Sequence, residues 1–400
     1  MPATKIDTWI PKVLFLSQFG FLKSYPGLAT AGAAAYSMST LFSAMKPILL
    51  TRYVEQLGLD VGLAGLIVAL PFVGIALASL LMRGAVLRMA YRPLVALFGI
   101  GLVVTELASA YLFTYLFIVA VLQFVSGICV GVLMGATSRH VATSANPNQL
   151  FGFVDMTAVL LMSFMVYLVG LAVAGSGLNG GYLSAGAISL LFLFCLFAFN
   201  PVVAGEAHAS TAEPKRLDLS LRPLAVVSMS VLFITFSGLG FAFMFTLAGD
   251  LGMDYDAAGT QIGILLFVSA FACQVGGWAG QRFGPERPLA IAFVTCAVGW
   301  YIAVNASSTT VYMAALVPAI FSLQFCFPIL LAFSGSLDDR GQWSAVASPL
   351  ITSGFAWAAI VAGQVVGAFG VTALATATAI GMGTCMLLLL LSVRLKHAAV

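Results

Sequence analysis

The sequence predicts an all-α membrane protein with twelve transmembrane helices in two halves, and three observations lead there. First, the 400 residues are 61% hydrophobic and only 8% charged, whereas a soluble domain carries about 25% charged residues to cover its surface. Second, apolar runs of the length needed to cross a bilayer, about 20 residues, recur twelve times. Third, all of the 17 Lys and Arg residues except Lys46 and Arg52 fall in one alternate set of the connecting loops.

The runs lie at about 29–52, 61–82, 93–112, 115–138, 151–174 and 181–200, and then, after a polar stretch, at about 223–248, 259–280, 288–306, 309–332, 346–369 and 371–393. Continuous apolar runs exclude an outer-membrane barrel, whose strands alternate. Forty glycines spread through these runs fit membrane helices, where small residues let backbones approach closely. The loops rich in Lys and Arg mark the cytoplasmic side, which places both termini and the central loop in the cytoplasm of a plasma (inner) membrane protein.

The organisation read from the sequence is an N-terminal cytoplasmic or interfacial segment (1–28), a six-helix bundle (29–200), a cytoplasmic linker (201–222), a second six-helix bundle (223–393) and a cytoplasmic tail (394–400). Residues 9–22 are apolar but short and are followed by Lys23 and Pro26. They read as a segment lying along the membrane, with an extra span or a signal peptide as the alternatives. The six cysteines, Cys129, Cys195, Cys273, Cys296, Cys326 and Cys385, all lie in apolar runs and read as packing residues rather than disulfides. No spacing of His, Cys and carboxylates forms a metal site. The net charge of +3 is not clustered on one soluble face, so nucleic acid is not a partner.

The two halves share a feature. Arg92-Pro93-Leu94 and Arg287-Pro288-Leu289 open corresponding spans at an offset of 195 residues, each after a basic turn. Matched six-helix halves are the mark of a parallel-repeat transporter. The second turn, Gly277-Trp-Ala-Gly-Gln281-Arg282-Phe-Gly284, resembles the G-x-L-A-D-R-x-G loop of the major facilitator superfamily. Gln281 replaces the motif's aspartate, and in the first half Leu87-Arg88-Met89-Ala90 keeps only the arginine. The resemblance implies two bundles about a central cavity lined by helices 1, 4, 7 and 10. It also implies gating contacts at Arg88, Gly277, Arg282 and Gly284, with positive-inside anchoring the plainer role for both arginines. Leu122-Gln123-Phe-Val-Ser-Gly127 resembles that family's R-x-x-x-G pattern with Gln123 in place of the arginine, so the arginine's proton role does not carry over. The antiporter glycine-proline signature is not visible in the fifth span.

Three ionisable residues lie within predicted spans of the first half. An exposed lysine inside the bilayer costs roughly 2.5–3.5 kcal/mol, so Lys46, Glu106 and Asp155 are expected to meet a cavity or one another. Tyr36, Ser39 and Ser43 precede Lys46 by ten, seven and three residues, a polar stripe at helical spacing. The stripe favours Lys46 facing a cavity, with snorkelling to the outer interface as the alternative. Glu106 lies at a depth similar to that of Lys46, and it reads equally as a proton-coupling site or as a structural partner of that lysine. Asp155 reads first as a gating partner of Arg139 or Arg88 and second as a proton carrier. In the second half Gln324 is the leading polar candidate, followed by Gln274, Asn305 and Gln364, among aromatic residues that include Trp357.

The function these residues imply is secondary transport of a small organic substrate by alternating access. The best-fitting substrate is an organic anion with an aromatic or apolar body, bound by Lys46, Tyr36, Ser39, Ser43, Gln123, Gln324 and Trp357 and coupled to protons at Glu106 or Asp155. A proton-coupled exporter of lipophilic or cationic compounds is the alternative. Neither a G-x-S-x-G, an H-E-x-x-H nor a P-loop occurs, so an enzyme or an ATPase is not expected. No cofactor is implied, and the expected partners are the substrate, protons and lipid, with a monomer as the working unit.

Overall fold

The computed structural model describes residues 24–200, 217 and 219–398. The predicted interfacial segment at 9–22 and most of the linker therefore lie outside the described residues. The rest is helical: α1 (Pro26–Leu57), α2 (Val61–Leu81), α3 (Tyr91–Leu112) and α4 (Leu116–Ala142), with a short helix at Arg83–Arg88 between α2 and α3. A helical stretch over Pro147–Leu196 then breaks at Ser176 (φ −139°) and at Gly177 (φ 61°, ψ −144°), which divides it into α5 (147–175) and α6 (178–196). The second half repeats the plan with α7 (Leu221–Asp250), α8 (Tyr255–Phe283), α9 (Glu286–Val304), α10 (Thr309–Gly335), α11 (Gln342–Phe369) and α12 (Ala373–Ala398).

Most helices extend past their apolar runs by up to about a turn at one end or the other. Hydropathy sees only the hydrocarbon layer, whereas the backbone keeps its internal hydrogen bonds through the interface as well. The α5–α6 break is an abrupt turn made without a polar loop. Gly177 adopts a left-handed conformation there, and the Gln56 side chain takes the space a Cβ would need. Gln56 Oε1 accepts a hydrogen bond from the Leu178 N–H at 3.0 Å, and Asn179 donates to the Ala110 carbonyl at 2.8 Å. The Leu178 N–H released by the break is thereby bound by α1, and the Asn179 side chain ties the start of α6 to α3.

Packing repeats between the halves. α1 lies on α5, α2 on α4, and α3 on α4 and α6; α7 lies on α11, α8 on α10, and α9 on α10 and α12. The α2–α4 and α8–α10 pairs cross at glycines. A Cβ on Gly127 would overlap the Pro71 carbonyl oxygen, and one on Gly276 would overlap that of Phe325. Such contacts supply the dispersion that holds helices together in lipid, where apolar burial gives little drive. The halves meet through α5 against α8 and α2 against α11, which is the same relation inverted, and through α4 against α11.

Hydrogen bonds from Arg83 to Gln342, from Arg139 to the Arg340 carbonyl and from Gln281 to Asn146 join the halves toward one end of the molecule. That end carries the loops holding Arg83, Arg139, Arg282 and Arg340 and is the basic end.

The crossings set a test. Gly127→Val and Gly276→Val should each destabilise the protein by about 1–3 kcal/mol through overpacking, read as a lowered melting temperature in detergent. Gly170→Ala, inside a helix with nothing within 4 Å of its added carbon, should not lower the melting temperature.

Candidate functional site

Between the halves lies a cavity of about 90 Å³ lined from α1, α4, α5, α7, α10 and α11. Its α1 wall is the polar stripe read from the sequence, with Tyr36, Ser39 and Ser43 joined by Thr40. Successive stripe positions three and four residues apart share a helix face. Facing them, α5 contributes Asp155 and α10 contributes Gln324, while Phe241, Phe327 and Phe355 supply apolar surface from α7, α10 and α11. The cavity therefore combines a hydroxyl wall, one carboxyl, one amide and three aromatic rings.

Asp155 is 3% exposed. Among the described residues its Oδ2 has no hydrogen-bond partner, nor has the Oγ of Ser39. Asp155 is eight residues into α5, which begins at Pro147, so it lies about 12 Å along the helix. The sequence placed it only a turn into its span, and the difference arises because α5 starts four residues before its apolar run. The predicted gating partner is otherwise engaged, since the Arg139 Nε donates to the Arg340 carbonyl at 3.2 Å. Gln274, on α8, is also buried, and neither atom of its amide has a partner among the described residues.

The floor of the cavity toward the basic end is a ring of three hydroxyls. The Tyr36 hydroxyl lies 2.8 Å from Ser138 Oγ on α4 and 2.7 Å from Ser348 Oγ on α11, and the two serines are 2.9 Å apart. One step below, Ser344 Oγ donates to the Ser138 carbonyl, and a Cβ on Gly135 would crowd the Ala345 carbonyl oxygen at 2.6 Å. Ser344, Ser348 and Thr352 repeat every four residues along α11, a polar stripe that helical spacing alone would have revealed.

Two further contacts close the basic end. Arg83 Nη2 donates to Gln342 Oε1 at 2.7 Å, at the start of α11. The Asp338 carboxylate orders that start by accepting from the backbone N–H groups of Arg340, Gln342 and Trp343, as acids do at helix N-termini. On the opposite side Gln281 Nε2 donates to Asn146 Oδ1 at 2.9 Å. A Cβ on Gly277 would overlap the Asn148 carbonyl oxygen, and one on Gly152 would lie 2.8 Å from that of Cys273.

The sequence-derived residues thus fall into separate groups. Tyr36, Ser39, Ser43, Asp155 and Gln324 line the cavity together. Lys46 occupies the next register position on the α1 stripe, but its side chain lies outside the described residues. Gln123 and Glu106 are placed elsewhere, buried in the α3–α4 seam at 3% and 0% exposure. There the Gln123 amide donates to Ser109 at 3.1 Å and to the Glu106 carboxylate at 3.4 Å. Trp357 is 45% exposed; it follows Phe355 by two residues, about 200° round the helix, and Phe355 holds the cavity position.

Among the gating candidates, Gly277 and Arg139 lie at the seam between the halves. Arg282 is exposed, with its guanidinium 5.9 Å from the Trp278 ring centre, and Gly284 ends α8 with φ 76°. Arg88 is exposed and makes no hydrogen bond or ion pair among the described residues; Arg83, five residues earlier, makes the inter-half contact instead. Arg83 lies outside the matched motif, and nothing in the sequence around it marks it as a gating residue.

Two repeated bundles, a buried polar cavity between them and a seam closed at one end define a carrier that exposes one site to either side of a membrane in turn. The chain belongs to the major facilitator superfamily, whose family model matches residues 28–340. It is an integral membrane protein and a secondary transporter of small molecules, not an enzyme. No curated protein matches the sequence. Among solved structures it is similar to the proton:xylose symporter XylE (15% identity, 92% of this chain and 94% of that one, TM-score 0.73). It is also similar to the E. coli fucose:proton symporter FucP (14%, 92% and 99%, 0.67) and to the human organic anion transporter MFSD10 (17%, 92% and 99%, 0.70). At these identities the likeness speaks for the fold.

The hydroxyl ring sets a second test. Tyr36→Phe keeps the ring's shape and removes two hydrogen bonds, of which only the one to Ser348 joins the two halves, worth about 1 kcal/mol. The population open at the basic end should rise about fivefold. Spin labels at the exposed Thr143 and Asp339 would report it as a growing long-distance component.

Proposed function

We propose that the chain carries a small organic anion with an apolar or aromatic body, together with a proton, by alternating access of the central cavity. The observation that carries this reading is Asp155, a buried carboxyl on the cavity wall with an unpartnered oxygen. Ionisable groups inside membrane proteins mark ion paths and proton relays. Asp155 takes up a proton when the cavity opens to one side and releases it when the cavity opens to the other. The substrate's anionic group is received at the α1 stripe, whose next register position is Lys46. Its body lies against Phe241, Phe327 and Phe355. Glu106, held by Gln123 away from the cavity wall, serves as a structural group of the N-terminal bundle.

A second reading takes its support from the same carboxyl. Asp155 among three aromatic rings would suit a lipophilic cation, exported in exchange for protons. In either case the distribution of Lys and Arg orients the basic end to the cytoplasm of a plasma (inner) membrane, with the monomer as the working unit.

Reconstituted vesicles under an imposed pH gradient would separate the readings, with aromatic carboxylates and lipophilic cations as the two panels. Carboxylates should accumulate and acidify the trans side. Asp155→Asn should abolish gradient-driven accumulation, by tenfold or more, while equilibrium exchange of labelled for unlabelled substrate continues. Accumulation undiminished in Asp155→Asn would overturn the assignment, and accumulation of cations alone would select the second reading.

A further inference from the structure

α8 and α9 both lean on α10, and beyond the short turn that joins them at the basic end they leave a space between them. The space between them is a cleft of about 670 Å³ on the outer surface of the C-terminal bundle, separate from the central cavity. Its walls are apolar, from Phe271 and Val275 on α8 to Ile291 on α9 and Phe325 on α10. Phe271, Val275 and Ile291 are exposed, so the cleft opens to the membrane. It runs from Arg287 at the mouth to Thr295, eight residues along α9 and about 12 Å deep.

The mouth is cationic and lacks a free counter-ion among the described residues. Arg287 lines it and is exposed. Arg282, one helix end away, is also exposed and is held over the Trp278 and Phe283 rings at 5.9 and 5.8 Å. The neighbouring carboxylate, Glu286, is engaged by Lys396 at 3.5 Å. Neither arginine has a hydrogen bond or ion pair to an acid among the described residues. An apolar slot in the bilayer with two uncompensated guanidinium groups at headgroup level matches one molecule in particular.

We propose that this cleft binds a phospholipid with an anionic headgroup, one acyl chain lying between α8 and α9 and the phosphate on Arg287 and Arg282. Basic pockets between membrane helices bind such headgroups. Both faces of α8 are then in use over the same turns. Its outer face, at Val275 and Trp278, holds the lipid, while Gly277 and Gln281 close the seam against α5. A seated chain backs α8 against α5 and favours the state closed at the basic end. The lipid site is independent of the substrate and of Asp155.

Native mass spectrometry of the full chain, released from nanodiscs of phosphatidylcholine and phosphatidylglycerol in equal amounts, tests the site. The wild type should retain one phosphatidylglycerol in preference to phosphatidylcholine. Arg282→Ala and Arg287→Ala should each weaken that retention roughly fivefold, the worth of one arginine at a membrane surface. Ala292→Trp, which fills the cleft and leaves the charge unchanged, should abolish it. Melting temperatures in detergent, with and without added lipid, check that each variant is folded. Equal retention of both lipids, or phosphatidylglycerol retention unchanged in all three variants, would overturn the proposal. Displacement by millimolar inorganic phosphate alone, or a dimer whose formation excludes the lipid, would overturn it as well.

Discussion

Main chain meets main chain where α5 crosses α8, because neither Gly152 nor Gly277 carries a side chain to hold the helices apart. Lipid gives packed helices little hydrophobic reason to stay together, so the closeness of this crossing decides how firmly the halves join. The remaining contacts of the seam depend on it. Gln281 and Asn146 can hydrogen-bond only if the helices below them nearly touch, and the approach of α4 to α11 at Gly135 repeats the arrangement across the cavity. Asp155 lies one helical turn beyond Gly152. Any motion that parts α5 from α8 therefore moves the carboxyl as it opens the route to it.

The two buried acids of the N-terminal bundle show how surroundings divide similar residues between roles. Glu106 is provided with an amide donor, Gln123, itself tied to Ser109, which supports the proposed structural role. Asp155 has an oxygen without a donor among the described residues, on a wall shared with hydroxyls and an amide. Leaving a buried polar atom unmatched is costly, and this is what supports Asp155 over Glu106 as the proposed proton site.

Much of this was legible in the sequence, for physical reasons. Twelve apolar runs follow from bilayer thickness, and the Tyr36, Ser39 and Ser43 stripe follows from helix periodicity; both depend on one helix at a time. What escaped depends on two. Gln123 and Glu106 are 17 residues apart and pair only because α3 and α4 pack as they do. Trp357 and Phe355 differ in role through the rotation of α11, which hydropathy does not report. Arg83 has no motif to mark it, and its partner Gln342 is in the other half of the chain. The α5 start at Pro147 was missed because Asn148 and Gln149 are polar, although helical backbone needs no apolar side chain once it leaves the hydrocarbon.

The ring formed by Tyr36, Ser138 and Ser348 has a property beyond holding two bundles together. Three hydroxyls carry three protons and can satisfy one another in a cycle without solvent, so while the ring is whole the floor of the cavity stays dry. Part any one member and the other two lose partners in the same instant, and water is the only substitute at hand. Wetting of the floor and separation of the bundles are then one event. The carrier has in these residues a seal against leakage that yields only with the conformational change itself.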